Sequence, residues 1–185
     1  MPNESIDLVV TSPPNGDSRT TVAYGENSRL SLQWLGIDNL SEKEIMGIDK
    51  SLMGGAKFRN GFEYTIPSQS LRESLFRIED KDLERAGDVY SFYNDLKNSI
   101  KAVSEKTKIG GYHFWVVGNR TVKGELLKTD VIITEIADSY GLEHVYTIDR
   151  NIINKVMPSL NSPTNESGVK AETMTNEHIV VLRKR

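Results

Sequence analysis

Cysteine is absent from all 185 residues, which excludes disulfides and thiolate metal sites. Histidine is scarce: His113, His144 and His178 stand too far apart in sequence to pair at metal-ligand spacing, so no metal site is expected. Neither sign of charge dominates. Lys and Arg number 23 against 26 Asp and Glu, a net of −3, so a basic field over the whole surface is excluded and any nucleic-acid contact must come from local clusters. No apolar stretch approaches the roughly 20 residues of a membrane span. The N-terminal Met1-Pro2-Asn3-Glu4-Ser5 lacks the basic-then-apolar pattern of a secretory signal. There is no internal repeat and no low-complexity tract. The expectation is a soluble, cytoplasmic protein without a membrane partner, long enough for one domain with a real core.

The most informative segment is Leu8-Val9-Val10-Thr11-Ser12-Pro13-Pro14-Asn15-Gly16-Asp17-Ser18. An apolar run, Ile6 to Val10, stops at the paired prolines, which lack the N–H that a central strand needs. A buried strand is expected over Ile6–Thr11, its end spilling into a loop. In open α/β sheets, ligands bind just beyond the carboxyl ends of strands.

The rest of the chain alternates strand and helix signals. Gly16 to Gly25 reads as loop, and Ser28 to Leu35 as a short helix with Ser28 as N-cap and Leu30, Trp34 and Leu35 on its inner face. Residues 36–67 read as irregular, with turns at Gly54-Gly55 and Asn60-Gly61. From Ser68 the pattern turns helical: Leu71, Leu75 and Ile78, then Val89, Phe92, Tyr93, Leu96, Ile100 and Val103, keep the spacing of a core-facing stripe. Gly110-Gly111 is expected to close that region. Tyr112–Val117 reads as a strand ended by Gly118-Asn119. Thr129-Asp130 is expected to cap a helix whose buried side is Ile133, Ile136, Ala137 and Tyr140, stopped by Gly141. Leu142–Ile148 and Glu177–Arg183 read as strands flanking a polar loop, 151–176. This order predicts a mostly parallel α/β sheet whose last two strands form an antiparallel pair at one edge. Trp34 and Trp115 are both expected in the core.

Ser12-Pro13-Pro14 at a strand end, Gly110 to Asn119 after a long helix, Asn154-Lys155-Val156-Met157-Pro158, Asn161-Ser162-Pro163-Thr164-Asn165 and the final Glu177 to Lys184 occur in one order. Together they resemble the carboxyl half, from the catalytic motif to the last strand, of site-specific S-adenosylmethionine-dependent DNA methyltransferases. Ser in the lead position favours the cytosine-N4 type over adenine. The resemblance covers nearly the whole chain. It implies a partial Rossmann-like class I methyltransferase sheet, its fourth to seventh strands, with a helical insert: residues 6–15 the motif strand and turn, 16–108 the loop and insert, 109–185 strand-helix-strand-loop-strand. The family's other half carries a Gly-x-Gly turn for the cofactor. No such turn follows a strand before Ser12, and Gly54-Gly55 and Gly61 do not form one. S-adenosyl-L-methionine is therefore expected to be bound mainly by a second polypeptide, and a half sheet to expose a sticky apolar edge.

The family flips the target base out of the duplex. The resemblance assigns Ser12 to accept a hydrogen bond from the exocyclic amine and the Pro13 carbonyl to accept a second, with Pro14 and Asn15 completing the motif. Catalysis of this kind is positioning and electrostatics rather than strong base chemistry. The family places an aromatic after the second proline, to stack on the base; this chain has Asn15. Gly16, Asp17, Tyr24, Asn119, Lys155 and Asn161 are expected to bind the DNA substrate, with residues 25–68 as the place for sequence recognition. Arg19, Arg29, Lys155, Arg183, Lys184 and Arg185 are candidate phosphate contacts, weighed against ordinary surface charge. Two other readings stand beside the enzyme: an inactive methyltransferase remnant, which Asn15 favours, and a DNA-binding module without chemistry. Methylation of RNA or protein is a further alternative.

Overall fold

The computed structural model describes residues 2–17, 24–36, 40–58, 61–151, 160–161, 171–172 and 176–185. Its centre is a four-stranded sheet in the order β1-β2-β8-β5, where β1 is Ile6–Thr11, β2 Thr107–Val117, β5 Leu142–Asn151 and β8 Asn176–Lys184. β1 and β2 are parallel, and β8 runs antiparallel to both β2 and β5. The predicted antiparallel pair is present at one edge, with β8 inside and β5 outermost.

One face of this sheet is covered. Trp115, Val117, Val180 and Leu182 join a single core with α3 (Gln69–Glu79), α4 (Leu83–Lys106) and α5 (Thr129–Asp138). The stripe predicted on α4 is buried as far as Ile100, with Val103 packed against the core's margin. Asp82 caps α4 through the Arg85 N–H. The Tyr93 hydroxyl meets Thr129 Oγ1 at 2.9 Å, tying α4 to α5 in the interior. The Glu135 carboxylate on α5 accepts from the Ser70 N–H at 3.1 Å and from both hydroxyls of Ser68 and Ser70, so α5 supplies an anion to the N-terminus of α3.

The other face is open among the described residues. The pairing puts Leu8 beside Tyr112, Val10 beside Phe114, and Ile179 beside Ile148 on that side. Leu8 and Val10 are 55% and 67% exposed. Only Val181, between Phe114 and Tyr146, is sealed by its neighbours. β1 is thus an edge strand with one bare face, not the buried strand its apolar run predicts. Apolar composition reports that a surface is made to be covered, not that the covering layer is present.

Several local expectations change. β2 begins at Thr107, five residues before the predicted Tyr112. Gly110 (φ +81) and Gly111 lie inside it, where the β1–β2 register shifts; a Cβ on Gly111 would come within 2.7 Å of Thr107 and 3.0 Å of the Asp7 carbonyl. The first helix, α1, is Tyr24–Leu35, so Ser28 sits inside it rather than capping it. Its predicted inner face is outward: Leu30 and Trp34 are 79% and 89% exposed, whereas Trp115 is in the core. Residues read as irregular contain α2 (Glu42–Ser51), opened by a capping box in which Ser41 and Glu44 satisfy each other's backbone N–H. Lys128, not Thr129 or Asp130, is the N-cap of α5; Asp130 lies in its first turn. A hairpin, β3 (Arg120–Val122) and β4 (Glu125–Leu127), follows β2, its turn carrying positive φ at Lys123 and Gly124. Within the long polar loop, β6 (Leu160–Asn161) pairs with β7 (Ala171–Glu172). Among the described residues no helix is long and apolar enough to cross a membrane.

Candidate functional site

Parallel pairing puts the carboxyl ends of β1 and β2 at one rim of the sheet, and the antiparallel strand β8 begins there. Three segments therefore meet: the turn Ser12–Asp17 after β1, Gly118-Asn119-Arg120 after β2, and Asn176–His178 opening β8 opposite Asp149 and Asn151 of β5. Ser12 and Asn15 are exposed, Pro13 and Pro14 are half-buried, and Gly16 and Asp17 are buried. Gly16 has φ +143, a conformation that an L side chain rarely adopts, so the chain can fold inward behind Asn15 only with glycine there.

Asp17 is the surprise of the turn. Its side chain is 0% exposed and faces two arginines: Arg85 Nη1 of α4 at 3.2 Å and Arg120 Nη2 at 3.6 Å, both from the same oxygen. Arg85 also approaches Asp88 at 3.5 Å. Buried charge needs such pairing. A residue expected to touch DNA is instead an internal anchor. Arg120, 12% exposed, also donates from Nη1 to the Asn15 carbonyl at 3.4 Å and lies with its guanidinium 5.7 Å from the Phe92 ring centroid. Burial, above all, pushes the Arg120 pKa below the ordinary arginine value.

Asn119 is fixed on both sides. Its Oδ1 accepts from the Asp130 N–H in the first turn of α5 at 3.4 Å, which turns Nδ2 toward His178 Nε2 at 3.1 Å. His178 Nδ1 meets Asp149 Oδ1 at 2.7 Å. The network is consistent with one tautomer: Nδ1–H donates to Asp149, and Nε2 accepts from Asn119. The rim thus carries an ordered Asn119–His178–Asp149 chain that spans β2, β8 and β5.

The other predicted contacts are distributed differently. Tyr24 opens α1, but its side chain lies outside the described residues, as do Arg19 and Lys155. Asn161 is described only as backbone in β6. Arg183, Lys184 and Arg185 stand at the far end of β8 from the Ser12 turn, and each is engaged: Arg183 over the Tyr112 ring, Lys184 with Ser104 and the Tyr140 carbonyl, Arg185 with Asp138. They do not join the motif's rim. Arg85, Arg120, Asp149 and His178 are not among the residues that the sequence points to. Of these, Arg120 carries a signal, since it directly follows the Gly118-Asn119 strand stop.

The fold and site define an α/β domain with a proline-stiffened polar turn at a strand end, facing a second loop across the same rim. In sequence the chain is 45% identical over 186 residues to the type II methyltransferase M.MvaI of Kocuria varians, a match that takes in 98% of this chain and 41% of that protein. No family model matches. In structure, a chain named as a DNA modification methylase from Thermus thermophilus, complexed with S-adenosyl-L-methionine, aligns with a TM-score of 0.46 and 18% identity over all of this chain and 47% of that one. The selenomethionine form of the same methylase aligns with a TM-score of 0.46 and 16% identity, again over 47% of its length. The chain spans less than half the length of the relatives that it matches.

Proposed function

We propose that this chain is the catalytic-motif half of a site-specific DNA methyltransferase of the cytosine-N4 type. It acts on duplex DNA together with a second polypeptide that carries most of the S-adenosyl-L-methionine site. The observation that carries this reading is the placement of Ser12-Pro13-Pro14 at the carboxyl end of an edge strand whose outer side and open face are uncovered among the described residues. The 45% identity to a type II methyltransferase supports it.

The described residues do not form a cradle for the cofactor. Gly54 and Gly61 lie between α2 and α3, with no strand feeding either turn, and among the described residues no strand lies beyond β1. The methyl donor would be held by the other polypeptide, and this chain's part is the amine. Ser12 Oγ accepts one amine hydrogen and the Pro13 carbonyl accepts the other. This draws the nitrogen out of conjugation with the ring and orients its lone pair away from both acceptors. The prolines restrict the backbone on which both acceptors stand. Asn15, exposed where the family stacks an aromatic, offers an amide in place of a π-face. Base–aromatic stacking is worth roughly 1–3 kcal/mol, so its loss lowers base capture on the order of tenfold to a hundredfold.

The test is methyl transfer from labelled S-adenosyl-L-methionine to duplex DNA. The chain is combined with the part of M.MvaI outside the matched stretch, and the DNA is digested to nucleosides. N4-methylcytosine is the expected product, abolished in Ser12→Ala. N6-methyladenine overturns the cytosine assignment, and no labelled nucleoside overturns the enzyme reading. Asn15 favours a second reading, a catalytically inactive methyltransferase remnant with a damaged motif. If Asn15→Tyr alone brings methylation to an inactive pair, the natural chain is a degenerate enzyme.

A further inference from the structure

The turn that carries Ser12 and Pro13 is held at its near end by β1, where Thr11 pairs with Trp115. Its far end is held from below. Asp17 is driven into the interior, and Gly54 closes over it so tightly that a Cβ there would come 2.6 Å from Asp17 Cβ and 3.2 Å from Phe92 Cβ. The backbone N–H of Gly54 is itself fixed by Asp95 Oδ2 at 2.9 Å. Between the two ends, one side chain reaches both the turn's backbone and its anchor. Arg120 donates to the Asn15 carbonyl at 3.4 Å and stands 3.6 Å from Asp17. Arg120 opens β3, whose hairpin is rooted in the core by Val122 and Leu127, so its own backbone has little freedom. We propose that Arg120 is the positioning residue of the Ser12–Asp17 turn. It sets the height of the Pro13 carbonyl and the Ser12 hydroxyl by clamping the turn at Asn15 and Asp17 together.

The functional meaning of the clamp rests on the methyltransferase reading; its mechanical meaning does not. A purely structural arginine would be expected to spend its donors within the fold. Here Nε is buried with no hydrogen-bond partner among the described residues, and Nη2 meets Asp17 only as an ion pair at 3.6 Å. A buried guanidinium that leaves one donor unused is not optimised for stability alone. Its planar fork matters because one nitrogen serves the carbonyl while another faces the carboxylate. Lysine keeps the charge near Asp17 but cannot hold both geometries.

The experiment compares Arg120→Lys and Arg120→Met with the unaltered chain by two readouts. The first needs no partner: hydrogen exchange of the Ser12, Asn15, Gly16 and Asp17 amides, measured against the amides of β1, with the unfolding midpoint recorded. Arg120→Lys is expected to leave the midpoint and β1 unchanged and to speed exchange in the turn on the order of tenfold, because local opening is then freed of the Asn15 contact. Unchanged exchange in the turn overturns the clamp. The second readout is methyl transfer with the M.MvaI segment. Arg120→Lys is expected to lower kcat on the order of tenfold to a hundredfold while KM for duplex DNA moves little, the pattern of a displaced acceptor rather than lost binding. A rise in KM alone, or a kcat that falls only as the folded fraction falls, overturns it. If the unaltered pair transfers no methyl group, the functional proposal fails, and the exchange data still decide whether Arg120 holds the turn. Arg120→Met separates charge from fork: it is expected to lower the midpoint as well, since the buried Asp17 carboxylate then loses the guanidinium that faces it at 3.6 Å.

Discussion

On the helix-covered face of the sheet, Trp115, Val117, Val180 and Leu182 are almost wholly buried under α4 and α5; on the opposite face Leu8, Val10, Tyr112, Tyr146 and Ile148 stand well exposed. Both faces are written in the same apolar alphabet. The difference between them is the presence of a second layer. Among the described residues the sheet buries one side, leaves aromatic and β-branched residues bare on the other, and has β1 as an open edge beside them. The same asymmetry runs along the rim: Asn119 and Asp17 are held by side chains of this chain, whereas Ser12 and Asn15 face outward.

The largest effect expected to sharpen this contrast is in the core. Leu96→Ala, at a fully buried position of α4, is expected to cost about 2–5 kcal/mol, while Val10→Ala on the open face shifts the isolated chain by no more than about 0.5 kcal/mol. Urea unfolding monitored by circular dichroism measures both, and comparable losses would remove the distinction between the faces.

Next in size is a pH effect confined to the covered face. His113 is fully buried, with Nε2 2.8 Å from Thr107 Oγ1; that hydroxyl donates to the Val103 carbonyl, so His113 Nε2–H is the donor, and Nδ1 has no partner among the described residues. Burial, with a smaller push from Lys184, lowers its pKa from 6.5 to about 4. A folded pKa below the unfolded one means that the unfolded chain takes up the proton first. Stability from this group is therefore full above pH 6.5 and falls as pH drops toward about 4. The loss approaches about 3 kcal/mol at the low end. His113→Gln is expected to flatten that part of the stability profile; an unchanged slope would assign the acid loss to other groups.

A smaller effect belongs to the insert. Ser41→Ala removes one half of the α2 capping box and is expected to cost about 1 kcal/mol, read as lower helicity without a change in the β-sheet signal. Smallest in stability, and most telling for the comparison, is Val10→Ser. It is expected to alter the unfolding free energy by less than about 0.5 kcal/mol yet to weaken self-association and assembly with the M.MvaI segment, seen by sedimentation. Assembly that ignores this residue would show that the open face is not the docking surface.

Much of this architecture is legible in the sequence. The stripe Val89–Ile100 and the runs at Tyr112–Val117 and Glu177–Arg183 announce themselves because burial on a regular element imposes a period. The antiparallel edge pair follows from the lack of a helix signal between the last two strands, whereas the mostly parallel sheet that the alternation predicts holds only for β1 and β2, since β8 runs antiparallel to both of its neighbours. What escapes is anything that depends on which layer is present. Ile6–Val10 and Leu30–Trp34 are apolar at the right spacing, yet Leu8, Val10, Leu30 and Trp34 all face outward. Helix α2 escapes although Ser41 and Glu44 carry a capping box, because its apolar residues are too few to make a convincing stripe. In the site, the Ser12 motif and Asn119 are legible as strand-end residues, and the structure brings their loops together. Asp17 reads as a surface contact, since nothing in a linear sequence shows that Arg85 and Arg120 converge on it from 68 and 103 residues away.

The central claim, that this chain supplies the amine-binding turn while another polypeptide completes the sheet and holds the cofactor, is tested most directly by isothermal titration with S-adenosyl-L-methionine. The chain is titrated alone, then after assembly with the part of M.MvaI outside the matched stretch, with that segment alone as the control. The account predicts no binding by the chain alone and one site per assembled pair, tighter than in the control. Stoichiometric binding by the isolated, monomeric chain, or affinity in the pair no greater than that of the segment alone, would contradict it.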